Sequence, residues 1–203
     1  MSTATGSPYS PEATAVAAAR TIALQMLEER GRGAVLVGVA RVDTALEHLL
    51  QAVMTPATSA KGDGLFLPER PLGSIGAKVV LASRLGLVDG QVERALNVLR
   101  KLRNSFAHSA ESASLADSAH SSRLAEVYAD ARANPLWAPL ESVLAAQPPS
   151  AHGPLEPALR DYILLITILV AFLEATAQQL RPIQSPVVMG FSGVSRINRA
   201  IEE

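Results

Sequence analysis

The ten residues Leu99-Arg100-Lys101-Leu102-Arg103-Asn104-Ser105-Phe106-Ala107-His108 set several hydrogen-bonding side chains tightly among apolar ones. Asn104 and His108 are four apart, so on a helix they share a face. Arg103 is turned by roughly 100° from Asn104, and its long side chain reaches toward the same cleft. Such a trio has a definite chemistry. A guanidinium holds a phosphate bidentately and stabilises charge that develops on it, while an imidazole near neutral pKa moves the proton of a ribose 2′-hydroxyl. With Asn104 as positioner, the reaction class is metal-independent RNA cleavage. The same residues also have a purely structural use. Asn104 can bond a fraying helix end, Arg103 can pair with Asp43 or Glu47, and His108 can sit in the loop that follows.

The elements that must position these residues read as helices. Pro11 and Glu12 after Ser10 mark a helix start, with a capping hydroxyl, a preset φ and an acid near the positive end. Helix one runs to about Arg30 and is interrupted at Gly31 and Gly33. Helix two, about Arg32 to Met54, carries Val35, Val39, Val42, Leu46, Leu49, Leu50 and Val53 as a broad apolar face. Asp43 and Glu47 flank that face and, with Arg41 and His48, read as a solvated surface. The alternative is that an acid orients a basic side chain on a neighbouring helix.

Thr55 to Pro71 is a long connection in which Leu65, Phe66 and Leu67 form a hydrophobic plug. Ser74 caps helix three, Gly86 ends it, and Asp89 starts helix four. Val92, Leu96, Leu99, Leu102 and Phe106 then recur at helical spacing and deliver the polar trio at the end of helix four. Ser109 to Ser122 reads as a loop leading to a helix through Leu124, Val127 and Tyr128. Prolines leave room for one short helix around Trp137 to Ala146. The last helix spans about Pro157 to Leu180. Its apolar run from Tyr162 to Leu173 falls short of the ~20 residues a bilayer needs, so a buried core helix is expected, and no membrane association.

The expected fold is therefore all-α, a single-domain bundle of about six or seven helices over residues 11–181. Residues 1–10 form a flexible tail, and residues 182–203 form a second tail or a docking arm. No strand pattern competes with the helices.

Composition narrows the function. The 203 residues carry a net charge of −1, 48% hydrophobic residues, 4% aromatics and no cysteine. The core must be built from Leu, Val, Ile and Ala, and thiolate chemistry and disulfides are excluded. The start of the chain lacks the pattern of a signal peptide, which places the expectation in the cytoplasm. His48, His108, His120 and His152 show no metal-ligand spacing, and phosphate loops and dinucleotide fingerprints are absent, so no metal and no cofactor is expected. Charge is uneven, however. Between Ser74 and His108 six basic residues (Lys78, Arg84, Arg94, Arg100, Lys101, Arg103) face two acids, against 12 basic and 17 acidic residues elsewhere. The first five of these, apart from Arg103, are the candidate binding residues around the motif. A phosphate-bearing ligand and an acidic protein face both suit such a surface.

Leu81 to Leu96, continuing to Asn97, also fits a helix-turn-helix superficially, with Gln91, Glu93, Arg94 and Asn97 on its second helix. Asp89 and Glu93 beside phosphates are unfavourable, and the helix runs on into an apolar seam. Direct DNA reading through residues 81–97 is thus the third expectation.

Arg103-Asn104-Ser105-Phe106-Ala107-His108 resembles the Arg-x4–6-His motif of the HEPN superfamily. That resemblance implies a small helical domain, often dimeric, with the motif at a helix end in the dimer cleft. Many of its members are ribonucleases or toxins, and others are inactive binding modules. A longer likeness is to the mannitol operon repressor (MtlR-like) family. It covers Arg70-Pro71-Leu72-Gly73-Ser74-Ile75-Gly76-Ala77-Lys78, then Leu85-Gly86-Leu87, then Leu99 to His108, with Val42-Asp43-Thr44-Ala45-Leu46-Glu47 resembling its helix-two pattern. This likeness extends over about residues 30 to 110. It implies an all-helical fold and a non-enzymatic regulatory role, as in transcriptional repression, without a demonstrated catalytic site or direct DNA contact. The leading expectation is a regulatory protein that contacts a protein partner through helix four, as a homo-oligomer. A ribonuclease using Arg103 and His108 on RNA comes second.

Overall fold

The computed structural model describes residues 11–29, 31–57, 64–108, 113–147, 153–184, 187–191 and 193–196. Among these, seven α-helices form one all-α domain: α1 Pro11–Met26, α2 Gly31–Val53, α3 Ile75–Arg84, α4 Gly90–His108, α5 Ser118–Arg132, α6 Trp137–Ala145 and α7 Pro157–Gln179. A single 3-10 turn, Gly64–Phe66, interrupts the α2–α3 connection.

α7 is the central post. From Leu159 to Leu173 its side chains are buried, except Arg160 and Phe172, and it packs against α1, α2, α5 and α6. Each such aliphatic side chain removed from water contributes about 1.5–3 kcal/mol, which is why a helix apolar all round belongs in the centre. No helix among the described residues is long and apolar enough to cross a membrane.

The α2–α7 crossing is close because Gly38 has no side chain. A Cβ there would lie 2.6 Å from the Tyr162 hydroxyl and 3.1 Å from Ile166 Cγ1. Tyr162 is fully buried and donates its hydroxyl proton to the Val35 carbonyl at 2.9 Å, so its one polar atom is satisfied inside the core.

α4 buries Ala95, Leu96, Leu99, Leu102 and Phe106, as the spacing predicts, and lies against α2, α3 and α5. Its polar residues are therefore left on the outer face. Ser74 caps α3, its Oγ accepting from the Ala77 N–H at 3.2 Å. Gly86, at φ +69°, closes the end of α3, a left-handed position that glycine takes without steric cost.

Four local expectations change. In the α2–α3 connection only Phe66 tucks into the core, whereas Leu65 and Leu67 stay exposed. α1 stops at Met26, four residues early, in a turn where the Leu27 and Glu29 N–H groups bond the Leu24 and Met26 carbonyls. α5 begins at Ser118, inside the stretch read as loop, because burial of His120 and carbonyl bonds from Asp117 start the helix there. After α7 the Ile183 N–H bonds the Val53 carbonyl at 2.7 Å, and a two-stranded antiparallel hairpin follows, β1 Val187–Gly190 paired with β2 Gly193–Arg196. The β-branched Val187, Val188 and Val194 around a Gly-bounded turn favour it, although the segment is too short to show a strand pattern. The Ser10 cap lies outside the described residues.

Candidate functional site

Three elements enclose an open groove of about 510 Å³: the middle of α2, the start of α3, and the second half of α4. Leu36, Val39 and Ala40 give it an apolar wall. The polar lining is Asp43 from α2, Ser74 at the cap of α3 and Gly76 within its first turn, and Arg100, Arg103 and Asn104 from α4. The α4 residues reach it because Leu99 and Leu102 are anchored inward, which turns the intervening positions outward.

Arg103 and Asn104 are exposed, and Arg103 Nη1 donates to Asn104 Oδ1 at 3.3 Å. Arg103 pairs with neither Asp43 nor Glu47. Those two acids hold Lys78 instead, at 3.0 and 2.9 Å, with the ammonium 5.7 Å from the centre of the Phe66 ring. The leading reading of Asp43 and Glu47 as a merely solvated surface is thus corrected in favour of the alternative, a carboxylate holding a basic side chain on a neighbouring helix, and that side chain is Lys78. As a consequence Lys78, expected among the surface binding residues, is 2% exposed and structural.

Arg100 crosses the start of α3. A Cβ on Gly76 would lie 3.4 Å from its Cδ and 3.8 Å from its guanidinium, ordinary contact distances, so the arginine lies directly against this edge of α3. The Arg100 Nε is shielded from water and has no hydrogen-bond partner among the described residues. The N–H groups of Ile75 and Gly76, in the first turn of α3, have no helical carbonyl to bond, and this end of the helix carries partial positive charge.

His108 is exposed at the end of α4, one turn beyond Asn104 and outside the groove lining. Arg32 of α2 lies beside it, donating to the Ala107 carbonyl at 2.8 Å. The remaining basic candidates do not converge. Arg84 ends α3 and is exposed, Lys101 is exposed on α4, and Arg94 pairs with Asp130 of α5 at 3.6 Å.

The side chains assigned to DNA reading are engaged within the fold. Gln91 donates to Asp130 at 3.1 Å, Glu93 accepts from the Ser83 hydroxyl at 2.7 Å, and Asn97 donates to the Glu93 carbonyl at 3.1 Å.

Two polar clusters escaped the sequence reading. His120 is buried between α4 and α5. Its Nδ1 lies 2.8 Å from the Ser114 carbonyl and its Nε2 3.0 Å from the Ser105 hydroxyl, with its ring 5.0 Å from that of Phe106. The carbonyl can only accept, so Nδ1 carries a proton and, in the neutral ring, Nε2 accepts from Ser105. The second cluster surrounds Asp161, 7% exposed, which accepts from Arg132 at 2.6 Å and from Arg160 at 2.8 Å. Arg160 also pairs with Glu141 at 3.2 Å, and Arg132 lies over the Tyr128 and Trp137 rings. The hydrogen bond to Asp161 raises the Arg160 pKa above its ordinary value. Burial raises those of Tyr128 and Tyr162, with the Asp161 charge adding to the effect at Tyr128. The contacts that join different helices, Ser105 with His120, Glu141 with Arg160 and Arg132 with Asp161, leave no local spacing to recognise.

Among the described residues no group of three or more His, Asp or Glu side chains could hold a metal ion. His48 bonds Glu174 at 2.8 Å, and His152 lies outside the described residues.

The arrangement is thus an all-α protein whose basic α4 face, with few acidic partners among the described residues, opens onto a groove. Compared with family models, with curated proteins and with solved structures, the chain matches none.

Proposed function

We propose that this chain is a regulatory interaction protein of the kind the mannitol operon repressor likeness implies. It works in the cytoplasm as a homo-oligomer and contacts a protein partner through the outer face of α4. One observation carries the reading. Arg100 and Arg103 open onto a groove, and no acidic side chain among the described residues pairs with either. A basic surface left unneutralised by its own chain favours an anionic group on another molecule.

A ribonuclease is the second reading. What favours it is the Arg103–Asn104 contact one helical turn before an exposed His108. The two are separated by incubating the purified chain with single-stranded and structured RNA, free of metal, beside His108→Ala and Arg103→Ala variants. The regulatory reading expects no cleavage by any of the three. Cleavage by the parent chain that both variants lose replaces it with the ribonuclease. A salt-dependent DNA titration tests the third reading, which requires a steep slope.

A further inference from the structure

We propose that the groove between α2, α3 and α4 binds the phosphate group of a small phosphate ester, with Arg100 as its principal ligand. The inference deepens the reading above, since it rests on the same basic face, but it names a small-molecule ligand distinct from the macromolecular partner.

Arg100 is the reason. Its Nε is shielded from water and has no hydrogen-bond partner among the described residues, an unfavourable condition when nothing compensates it. Arg41 Nε is shielded in the same way, but Arg41 does not line the groove, whereas other cations packed against the fold have carboxylate partners. Lys78 has two carboxylates, and Arg132, though half exposed, has Asp161. Arg100 lines a cavity of about 510 Å³, ample for a phosphate with a small organic group attached. Binding requires its Nε–Nη edge to turn into that space, where it offers the fork geometry that a phosphate accepts.

The surroundings select the charge of the ligand. Arg103 adds a second guanidinium, held beside Asn104. The first turn of α3 adds the N–H groups of Ile75 and Gly76. Asp43 is the one acid in the lining among the described residues, and Lys78 sits 3.0 Å from it, which offsets its repulsion of an anion. The Leu36 and Val39 wall gives the organic part of the ester an apolar surface. Asp43 then accepts from a hydroxyl or amine at the other end of the ligand.

The test is calorimetric titration of the full chain with inorganic phosphate and with glycerol 3-phosphate, against chloride at equal ionic strength. Both probes are expected to bind, the ester more tightly because it also meets the apolar wall. Arg100→Gln is expected to weaken the ester about tenfold or more, and Arg103→Gln less. Arg123→Gln removes the same charge from an exposed site on α5 and is expected to leave binding unchanged. Circular-dichroism melts confirm that each variant is folded, and two independent arginine variants keep the test open if one is not. Absence of binding at millimolar probe overturns the proposal, and so does equal binding by Arg100→Gln. Binding of a short RNA in place of both phosphates also overturns it, in favour of a phosphodiester site. Partner contact is read separately, by cross-linking in the absence of phosphate. Loss of the small-ligand site with retained partner contact thus fails this proposal alone.

Discussion

Lys78 has 2% of its surface exposed, and its ammonium is held by two carboxylates and an aromatic face. Asp43 and Glu47 are each about a third exposed, so water screens part of the interaction and the full cost of a broken buried pair does not apply. Lys78→Met is expected to destabilise the chain by roughly 1–3 kcal/mol, because it leaves two carboxylates facing one another without their shared cation. For a chain of this size each kcal/mol lowers the melting temperature by about 2–4 °C. Adding Asp43→Asn and Glu47→Gln to that variant is expected to recover part of the loss. A thermal melt of the single and triple variants decides it, and an unchanged melting temperature in Lys78→Met rules the pairing out as a source of stability. The helical spacing of Asp43 and Glu47 made a partner across the α2 edge foreseeable. The choice of Lys78 over Arg103 was not foreseeable, because it depends on which turn of α3 or α4 faces that edge.

At the scale of elements, the α2–α7 crossing rests on Gly38. In an exposed helix Gly→Ala stabilises by about 1 kcal/mol through backbone entropy. Here the added methyl would meet Tyr162 Oη at 2.6 Å and Cε1 at 2.9 Å, atoms fixed in the core. Overpacking of this kind costs about 1–3 kcal/mol, so Gly38→Ala is expected to reverse the usual sign and destabilise. The atom nearest the new methyl is the tyrosine hydroxyl, so Tyr162→Phe in the same chain is expected to relieve part of that cost. Urea unfolding of the two single variants and the double variant measures the coupling. The α4 contact with α5 depends on a similar detail, the His120 ring held by Ser105 and Ser114. A lone histidine in a Ser-rich stretch gives no local sign of such burial, which is why the start of α5 was read as loop.

For the whole molecule, the two buried tyrosines set the alkaline limit. Burial raises both pKa values above the ordinary value of about 10, so the folded chain keeps protons that the unfolded chain releases. Stability from this source is complete below about pH 10 and is lost as pH rises above it, toward the folded-state values. The melting temperature is therefore expected to fall steeply above about pH 10. Tyr128 and Tyr162 are expected to ionise only together with unfolding, seen as tyrosinate absorbance that tracks the loss of helix. Ionisation of both at about pH 10 with the helices intact contradicts their burial. Tyr128→Phe and Tyr162→Phe are each expected to flatten the alkaline slope.

The sequence by itself determined the helices and the core. Leu, Val and Ile at helical spacing specify which face each helix buries, and the unbroken apolar run of α7 specifies a central post. It also determined that Arg103, Asn104 and His108 fall outward on α4, because Leu99, Leu102 and Phe106 must fall inward. Only the tertiary structure decided what those outward residues face. Whether Arg100 or Lys78 meets an acid, whether Arg100 lies against the start of α3, and whether His108 shares the groove are set by how α2, α3 and α4 are rotated and offset against one another. Those rotations come from side-chain packing between helices distant in sequence, and no spacing within one helix records them.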